Sequence, residues 1–582
     1  MTQLRVALAQ TNPTVGDLRG NADLAVRHVR EARKAGAHLV VFPEMFLSGY
    51  PVEDLALRRS FCNASRAELS RLAVRLKDEG LGEITVVMGY LDAIEGRWQK
   101  AGQPPTAPLN AGAFLHGGRV IVRYAKHHLP NYSVFDEMRY FVPGEDLAVA
   151  RVHGVDCALM ICEDLWQEQG PSVYARAAEV GLVVVINGSP YERLKDDLRF
   201  ELCARRARQV GCPLLYVNMV GGQDELVFDG DSLVVDAKGG LVARAPQFRE
   251  YLLVADLDLR EATSDPTALT PSVDRVVISA DPVPGYDPCT PPTAEPLDDL
   301  AEVYKALVLG TGDYARKNGF TSTVLNLSGG IDSALVATIA VDALGPENVH
   351  VLALPSQHSS EHSLADAEDL AKRQGVDYRV VPISGIYDAF VREVPLHGLA
   401  AENLQARIRG TLLMSLSNEE GHLALATGNK SELGTGYSTL YGDTAGGYAP
   451  LKDVPKSTVW ALARWRNAEA ERHGEQPPIP HNTIVKPPSA ELAPGQQDSD
   501  SLPPYEQLDA LLDDYIEDDF GADELVERGH DPAMIDQVTA MVDRTEYKRR
   551  QYPPGPKISE RNFGRDRRQP ITNAWREAST PR

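Results

Sequence analysis

The stretch Pro282–Pro296, PVPGYDPCTPPTAEP, concentrates proline and glycine with no apolar periodicity. Proline fixes φ and cannot donate to a ladder, so such a run joins independently packed units rather than crossing a core. This constrains the fold more than any other feature. The 582 residues build two halves, bounded as 1–280 and 298–582, with 281–297 as the linker. Each half is long enough to bury its own core, and 43% apolar residues supply the material for one.

In the first half, short β-branched runs recur: RVALAQ near residue 5, HLVVFPE ending at Glu44, ITVVMGY near 86, CALMIC ending at Cys162, GLVVVIN near 184 and LLYVNM near 216. These read as buried strands. Between them, NADLAVRHVREARKAGA and LRFELCARRARQVG space apolar residues three and four apart and end near glycine, as amphipathic helices do. In the second half, LDDLAEVYKALVLGTGDYARKNG predicts a helix. STVLNL, SGGIDS and ALVATIAVDALG then give strand, tight loop and helix, and VHVLALPS, YRVVPIS and HLALATGN add strands. That order predicts a parallel, doubly wound sheet. The segment from Pro487 to Pro504 and the tail after Tyr552 are rich in proline and polar residues, and the tail reads as a poorly ordered end or an arm onto another subunit.

Composition excludes several classes. With 59 basic and 82 acidic side chains the net charge is -23, which argues against nucleic acid or an anionic membrane as partner. Six cysteines without a paired C-x-x-C argue against a disulfide framework or a zinc site and for a reducing, cytoplasmic setting. No apolar segment has the length of a membrane span.

Three strand ends carry groups suited to cleaving an amide: Glu44, Lys126 in VRYAKHHLP and Cys162 in ALMICEDLW. A thiolate attacking the carbonyl divides a difficult hydrolysis into formation and breakdown of a thioester. A carboxylate can take the thiol proton and return it to the leaving ammonia, while a fixed ammonium stabilises the oxyanion and the thiolate. Any one of these residues alone is more often a packed thiol or an ordinary charge. Taken in order, FPE, KHHLPNYSVFDE and ICEDLW resemble the Glu-Lys-Cys amidase domain of the nitrilase superfamily, in the form found in NAD synthetases. The resemblance implies an αββα sandwich, a second acidic group at Glu137, and glutamine contacts from Tyr132, Ser189 and Lys195. Ser133 stands where the family pattern has glycine.

The segment Ser328, Gly329, Gly330, Ile331, Asp332 and Ser333 follows a strand and opens a helix, which suits a bound anion: glycines permit close backbone approach, and N–H groups at a helix start face the ligand. Asp332 is placed to hold magnesium. No Walker loop is present, so transfer of a terminal phosphate is not indicated. SGGIDS resembles the loop of ATP pyrophosphatases. With ENLQARIRG (402–410), ATGNKSELGTGYSTLYGDTAGGYAPLKDVPKSTVW (426–460) and KPPSAELAPGQQDSDSLPPYEQLD (486–509), the second half resembles an NAD synthetase domain. By that resemblance Thr427 contacts ATP, Glu432 joins Asp332 around magnesium or faces the substrate, and Asn403 and Lys548 contact deamido-NAD. Leu433, Gly434 and Thr435 replace the small apolar residues more usual after the glutamate.

The expected reaction adenylates the deamido-NAD carboxylate with ATP, releasing pyrophosphate, and displaces AMP with ammonia from glutamine passed along a shielded path in a homo-oligomer. Two rivals are an enzyme that amidates or thiolates another nucleotide or RNA base through the same loop, and a non-catalytic protein that keeps the fold. STLYGDTAGGYAPLKDVPK argues against the first, and retention of Glu44, Lys126, Cys162, Asp332 and Glu432 against the second.

Overall fold

The protein is described by a computed structural model covering residues 2–94, 107–263 and 272–577. The chain divides into two compact units, Met1–Gln223 with Phe228–Leu297, and Asp224–Val227 with Asp298–Arg582.

The first unit stacks two sheets. One runs, in spatial order, Tyr251–Leu259, Thr2–Gln10, Leu39–Val41, Thr85–Ala93, Pro108–His116 and Arg119–Ala125; the other runs Leu241–Arg244, Leu233–Val235, Leu214–Asn218, Leu182–Asn187, Val155–Ile161, Leu147–Val152 and Val273–Val277. Alternation along the first strand shows why they stack. Leu4, Val6 and Leu8 point into the core shared with the second sheet, while Ala7 and Ala9 face the opposite way, against Val26 and Val29 of helix Leu18–Lys34 and Leu69 and Leu72 of helix Arg59–Asp78. Helix Lys195–Val210 covers the outer face of the second sheet through Leu202, Cys203 and Ala207. The result is the expected αββα sandwich. Strand Pro108–His116, which pairs through a turn at Gly117-Gly118 with the strand Arg119–Ala125 that ends before Lys126, was not among the anticipated strands. Residues anticipated as linker are strapped to this unit: the Cys289 N–H donates to Asp256, and the Ala294 N–H to the Arg244 carbonyl.

The second unit is built on a four-stranded parallel sheet in the order Asp377–Val380, Val349–Ala353, Thr323–Asn326, Leu423–Leu425. The first of these strands in sequence, Thr323–Asn326, lies between the second and the fourth. Connections therefore leave it in opposite directions, and the crevice beyond its carboxyl end is where doubly wound sheets bind ligands. A helical layer, Tyr505–Ile516, Ala522–Glu527 and Pro532–Arg544, closes around Leu508, Leu512, Ile535 and Val538. Of the two expectations for the stretch after Tyr552, a poorly ordered end or an arm onto another subunit, the first is corrected for residues 553–567. Ile558 and Phe563 are buried, and Asp453 accepts hydrogen bonds from the Ile558 N–H, the Ser559 N–H and the Ser559 hydroxyl. This stretch is a packed arm, two of whose N–H groups are held by one buried carboxylate.

Candidate active sites

Glu44, Lys126 and Cys162 converge at the carboxyl ends of strands in the first unit, and all are buried. The Lys126 ammonium lies 2.8 Å from Glu44 Oε1 and 2.9 Å from Glu137 Oε2. Three groups absent from the sequence reading complete the cluster. Asn110 Nδ2 donates to Glu44 Oε1 at 2.7 Å, the Gly188 N–H donates to Glu44 Oε2 at 2.7 Å, and the Tyr50 hydroxyl donates to Glu137 Oε1 at 2.9 Å. Burial alone would discharge the lysine, but Glu137 and Glu44 together hold its pKa well above the ordinary range. Burial raises the Glu137 carboxyl to about 7 against the pull of Lys126. Burial and then Glu44 push the Cys162 thiol well up, and Lys126 opposes them. These surroundings favour the thiol over the thiolate.

Cys162 follows strand Val155–Ile161 and precedes the short helix Glu163–Trp166, at φ 45 and ψ −97. A non-glycine residue there is strained, and such strain persists only where the surroundings impose it. Ser133 likewise adopts φ 51, the left-handed region that explains a glycine in the family pattern.

Among the residues assigned to glutamine, Ser189 is buried beside Gly188, and its carbonyl accepts from Arg199 Nη2 at 3.1 Å and from Asn218 Nδ2 at 3.1 Å. Tyr132 is half-exposed and its hydroxyl donates to Glu163 Oε2 at 2.9 Å. Lys195 opens helix Lys195–Val210, 4.0 Å from Glu192. Arg199, fully buried, pairs with Asp229 at 2.5 Å. Its spacing on an amphipathic helix gave no hint that it turns inward.

In the second unit a cavity of about 280 Å³ opens beyond Thr323–Asn326, lined by Ser328, Gly330, Ile331, Asp332, Ser333, Thr427 and Glu432 among others. Gly329 adopts φ +80, and a Cβ there would lie 2.2 Å from the Ser363 carbonyl oxygen. The loop is fixed by the Ser333 hydroxyl, which accepts from the Ser328 N–H at 3.2 Å and donates to the Gly330 carbonyl at 3.1 Å. Glu432 forms a capping box with Asn429 at the start of helix Lys430–Thr435, so Leu433, Gly434 and Thr435 continue a helix, with Leu433 buried. Lys456, assigned no role from sequence, binds Asp332 directly and lies 3.5 Å from Glu432. Burial raises Glu432 to about 8, with Lys456 opposing and Asp332 reinforcing.

Two carboxylates that share one cation suit a magnesium ion completed by substrate phosphates, since this ion is commonly held by one or two carboxylates and keeps waters. Among the described residues no cluster of three or more His, Cys, Asp or Glu forms a ready-made cation cage. Asn403 and Lys548 do not line the cavity. Asn403 accepts from the Thr439 hydroxyl at 2.7 Å, and Lys548 donates to the carbonyls of Gly436 and Ser438 at 2.7 Å each. They anchor the segment whose Tyr437 and Ser438 reach the cavity.

The folds and sites define a class: a nitrilase-type amidase unit carried on one chain with a doubly wound unit that has a glycine-rich anion loop. Residues 5–267 match the carbon-nitrogen hydrolase family and residues 303–552 the NAD synthase family. The chain is 43% identical over 594 residues to the glutamine-dependent NAD(+) synthetase of Thermotoga maritima, covering 99% of this chain and 100% of that protein. It is 40% identical over 582 residues to that of Acinetobacter baylyi, covering 99% of each. A solved glutamine-dependent NAD+ synthetase from Acinetobacter baumannii, in complex with ADP, superposes with a TM-score of 0.72 at 37% identity, covering 98% of this chain and 99% of that one. The enzyme from Cytophaga hutchinsonii shares the fold, with a TM-score of 0.78 at 21% identity over 98% of both chains. The chain belongs to the glutamine-dependent NAD(+) synthetase family, whose members are amide-forming, glutamine-hydrolysing ligases.

Proposed function

We propose that Cys162 attacks the glutamine carboxamide, that Glu44 takes the thiol proton and returns it to the departing ammonia, and that Lys126 stabilises the oxyanion. The observation that carries this reading is the Lys126 ammonium held within 3.0 Å of both Glu44 and Glu137, in a buried pocket beside a strained cysteine. A charge fixed without surrounding water is worth most where negative charge develops. Water then cleaves the thioester, with Glu44 as base, giving glutamate and free Cys162. Glu137 keeps Lys126 charged and aimed. Tyr132, Ser189 and Lys195 hold the amino acid, with Ser189 fixed by Arg199.

In the second unit the backbone of Ser328–Ser333 cradles the ATP phosphates and Thr427 contacts the nucleotide. The deamido-NAD carboxylate attacks the α-phosphorus, forming an acyl adenylate as pyrophosphate leaves; ammonia then displaces AMP and yields NAD. Lys456 neutralises charge on the phosphates, and Asp332 and Glu432 would hold magnesium, which supplies further charge neutralisation. Glu432 serves the adenylating step, and Asn403 and Lys548 shape the deamido-NAD side through the 436–439 segment. A homo-oligomer is supported by Ile386 and Phe390, exposed one turn apart on helix Ser384–Glu393, with Val394 exposed just beyond its end. Six free cysteines fit a cytoplasmic protein.

The test is NAD formation with magnesium, ATP and deamido-NAD, with glutamine or ammonium as nitrogen donor. Cys162→Ala is expected to lose glutamine-driven synthesis and retain ammonium-driven synthesis. Loss of both, or no pyrophosphate release from wild type when deamido-NAD is added, would overturn the reading.

A further inference from the structure

We propose that Asp164, two residues beyond the nucleophile, is the positioning residue that sets Cys162 against Lys126. Its side chain is fully buried and collects four donors. Oδ2 accepts from the Ile161 N–H at 3.1 Å and from the Tyr124 hydroxyl at 2.6 Å; Oδ1 accepts from the N–H groups of His127 at 3.1 Å and His128 at 2.9 Å. One set of donors adjoins the nucleophile: Ile161 is the residue immediately before Cys162. The other set brackets the lysine, with Tyr124 two residues before Lys126 and His127 and His128 directly after it. A single carboxylate therefore ties together the two backbone segments that deliver the attacking sulfur and the ammonium facing it.

The nucleophile turn needs such a tie. The Cys162 N–H is used on the Ile186 carbonyl at 3.0 Å, the helix that follows is four residues long, and Cys162 gives it no side-chain cap. Strain at φ 45 is held by neighbouring bonds; beside the two that Cys162 itself makes, to Ile186 and Leu165, the Ile161–Asp164 bond is the one that a side chain supplies to the residue before it. Both carboxylate oxygens accept, each from two donors. An asparagine of the same shape must turn its NH2 toward one edge. The Tyr124 hydroxyl can rotate to accept from it, but the Ile161 N–H cannot, so the segment before the cysteine loses its anchor.

The inference rests on the amidase reading above, and its test separates the two. Full-length wild type, Asp164→Asn and Cys162→Ala are compared for glutaminase kcat and KM, for ammonium-driven NAD formation, and for the pH dependence of Cys162 alkylation by iodoacetamide, with Cys162→Ala as the blank. Small displacements of reacting groups cost about 10² in rate, so Asp164→Asn should lower glutaminase kcat by about 10- to 100-fold, with KM changed by less than about threefold. The alkylation profile should move to higher pH, because Lys126 is no longer held to favour the thiolate. Ammonium-driven synthesis should be unchanged. Tyr124→Phe removes one donor and no backbone bond, and is expected to move kcat and the alkylation profile in the same direction by a smaller amount. A wild type that hydrolyses no glutamine would refute the amidase reading itself. An active wild type with unchanged kcat and alkylation profile in Asp164→Asn would overturn the inference, even if that variant melts at lower temperature. If Asp164→Asn does not fold, an unchanged profile in Tyr124→Phe overturns it equally.

Discussion

Gly329 and Gly330 are adjacent and chemically identical, yet the structure assigns them opposite sensitivities to an added methyl group. Gly329 lies at φ +80, and its Cβ would meet the Ser363 carbonyl oxygen at 2.2 Å, the carbonyl carbon at 2.9 Å and Cα at 3.0 Å. All three are backbone atoms, so no side chain can swing aside. The left-handed conformation costs an alanine about 1–2 kcal/mol, and relieving a backbone overlap costs about 1–3 kcal/mol more. Gly330 has an extended backbone at φ −78, and its Cβ would meet only the Ser328 hydroxyl at 3.2 Å, the end of a side chain that can turn. Gly329→Ala should therefore destabilise the second unit by about 2–5 kcal/mol. At about 2–4 °C per kcal/mol for a unit of this size, that is a drop of about 4–20 °C in its melting transition. Gly330→Ala should stay within about 1 kcal/mol of wild type. Differential scanning calorimetry without ligand reads the stability, and ammonium-driven NAD formation reads the function. Gly329→Ala should lose activity together with stability, whereas any loss in Gly330→Ala should lie in the KM for ATP. Equal melting transitions for the two variants would refute the reasoning, because they would show that Ser363 yields to the methyl group without cost.

Three further outcomes follow from charges held in the two units. Glu137, raised to about 7 by burial, holds a proton in the folded unit that the unfolded chain has already released above about 4.5. Its contribution is therefore full below that pH and is lost as pH rises through about 7; Glu137→Gln should flatten the fall in amidase melting temperature between pH 5 and 8, and parallel curves for the two proteins would contradict this. Arg199→Met leaves Asp229 buried without its partner and should cost about 3–5 kcal/mol, the range for breaking a buried pair, measured by urea unfolding of the amidase signal; a loss below about 1 kcal/mol would mean that water replaces the guanidinium. Asp332→Asn should abolish NAD formation with either nitrogen donor while leaving glutamine hydrolysis measurable, and retained pyrophosphate release would remove Asp332 from the adenylating step.

What the sequence made legible rested on the order of motifs and not on any single residue. Glu44, Lys126 and Cys162 each end an apolar run, yet singly they read as packed or ordinary charged groups; FPE, KHHLPNYSVFDE and ICEDLW in order, resembling an amidase domain, marked them. The loop Ser328–Ser333, bland as a lone glycine turn, was marked in the same way by the motifs that follow it. Tyr50, Asn110 and Arg199 lay outside that logic. Their polar atoms are buried on elements whose local pattern is ordinary, and only the tertiary fold brings them to Glu137, Glu44 and Ser189. Lys456 and Asp164 were in plain view within KDVPKS and ICEDLW, but local sequence does not reveal which carboxylate or which N–H a side chain will meet. The tail after Tyr552 misled because proline-rich composition is shared by loose ends and packed arms. Asp453, a hundred residues upstream, decides between them.

The two sites use the same motif to opposite ends. In each, a buried lysine lies between two carboxylates: Lys126 between Glu44 and Glu137, Lys456 between Asp332 and Glu432. Around Lys126 all three side chains are at most 4% exposed, so the ammonium is fixed between its carboxylates away from water. A fixed ammonium suits the proposed reaction, in which one proton moves between sulfur, carboxylate and nitrogen. Around Lys456 the carboxylates are 17% and 19% exposed to a cavity lined by the glycine loop. On the reading proposed above, Lys456 would face phosphate oxygens there, and Asp332 and Glu432 would be the carboxylates that hold a cation bound with the nucleotide. Lys456→Met should accordingly damage ATP use more than its lost contact alone predicts, because it leaves Asp332 and Glu432 facing each other without a cation.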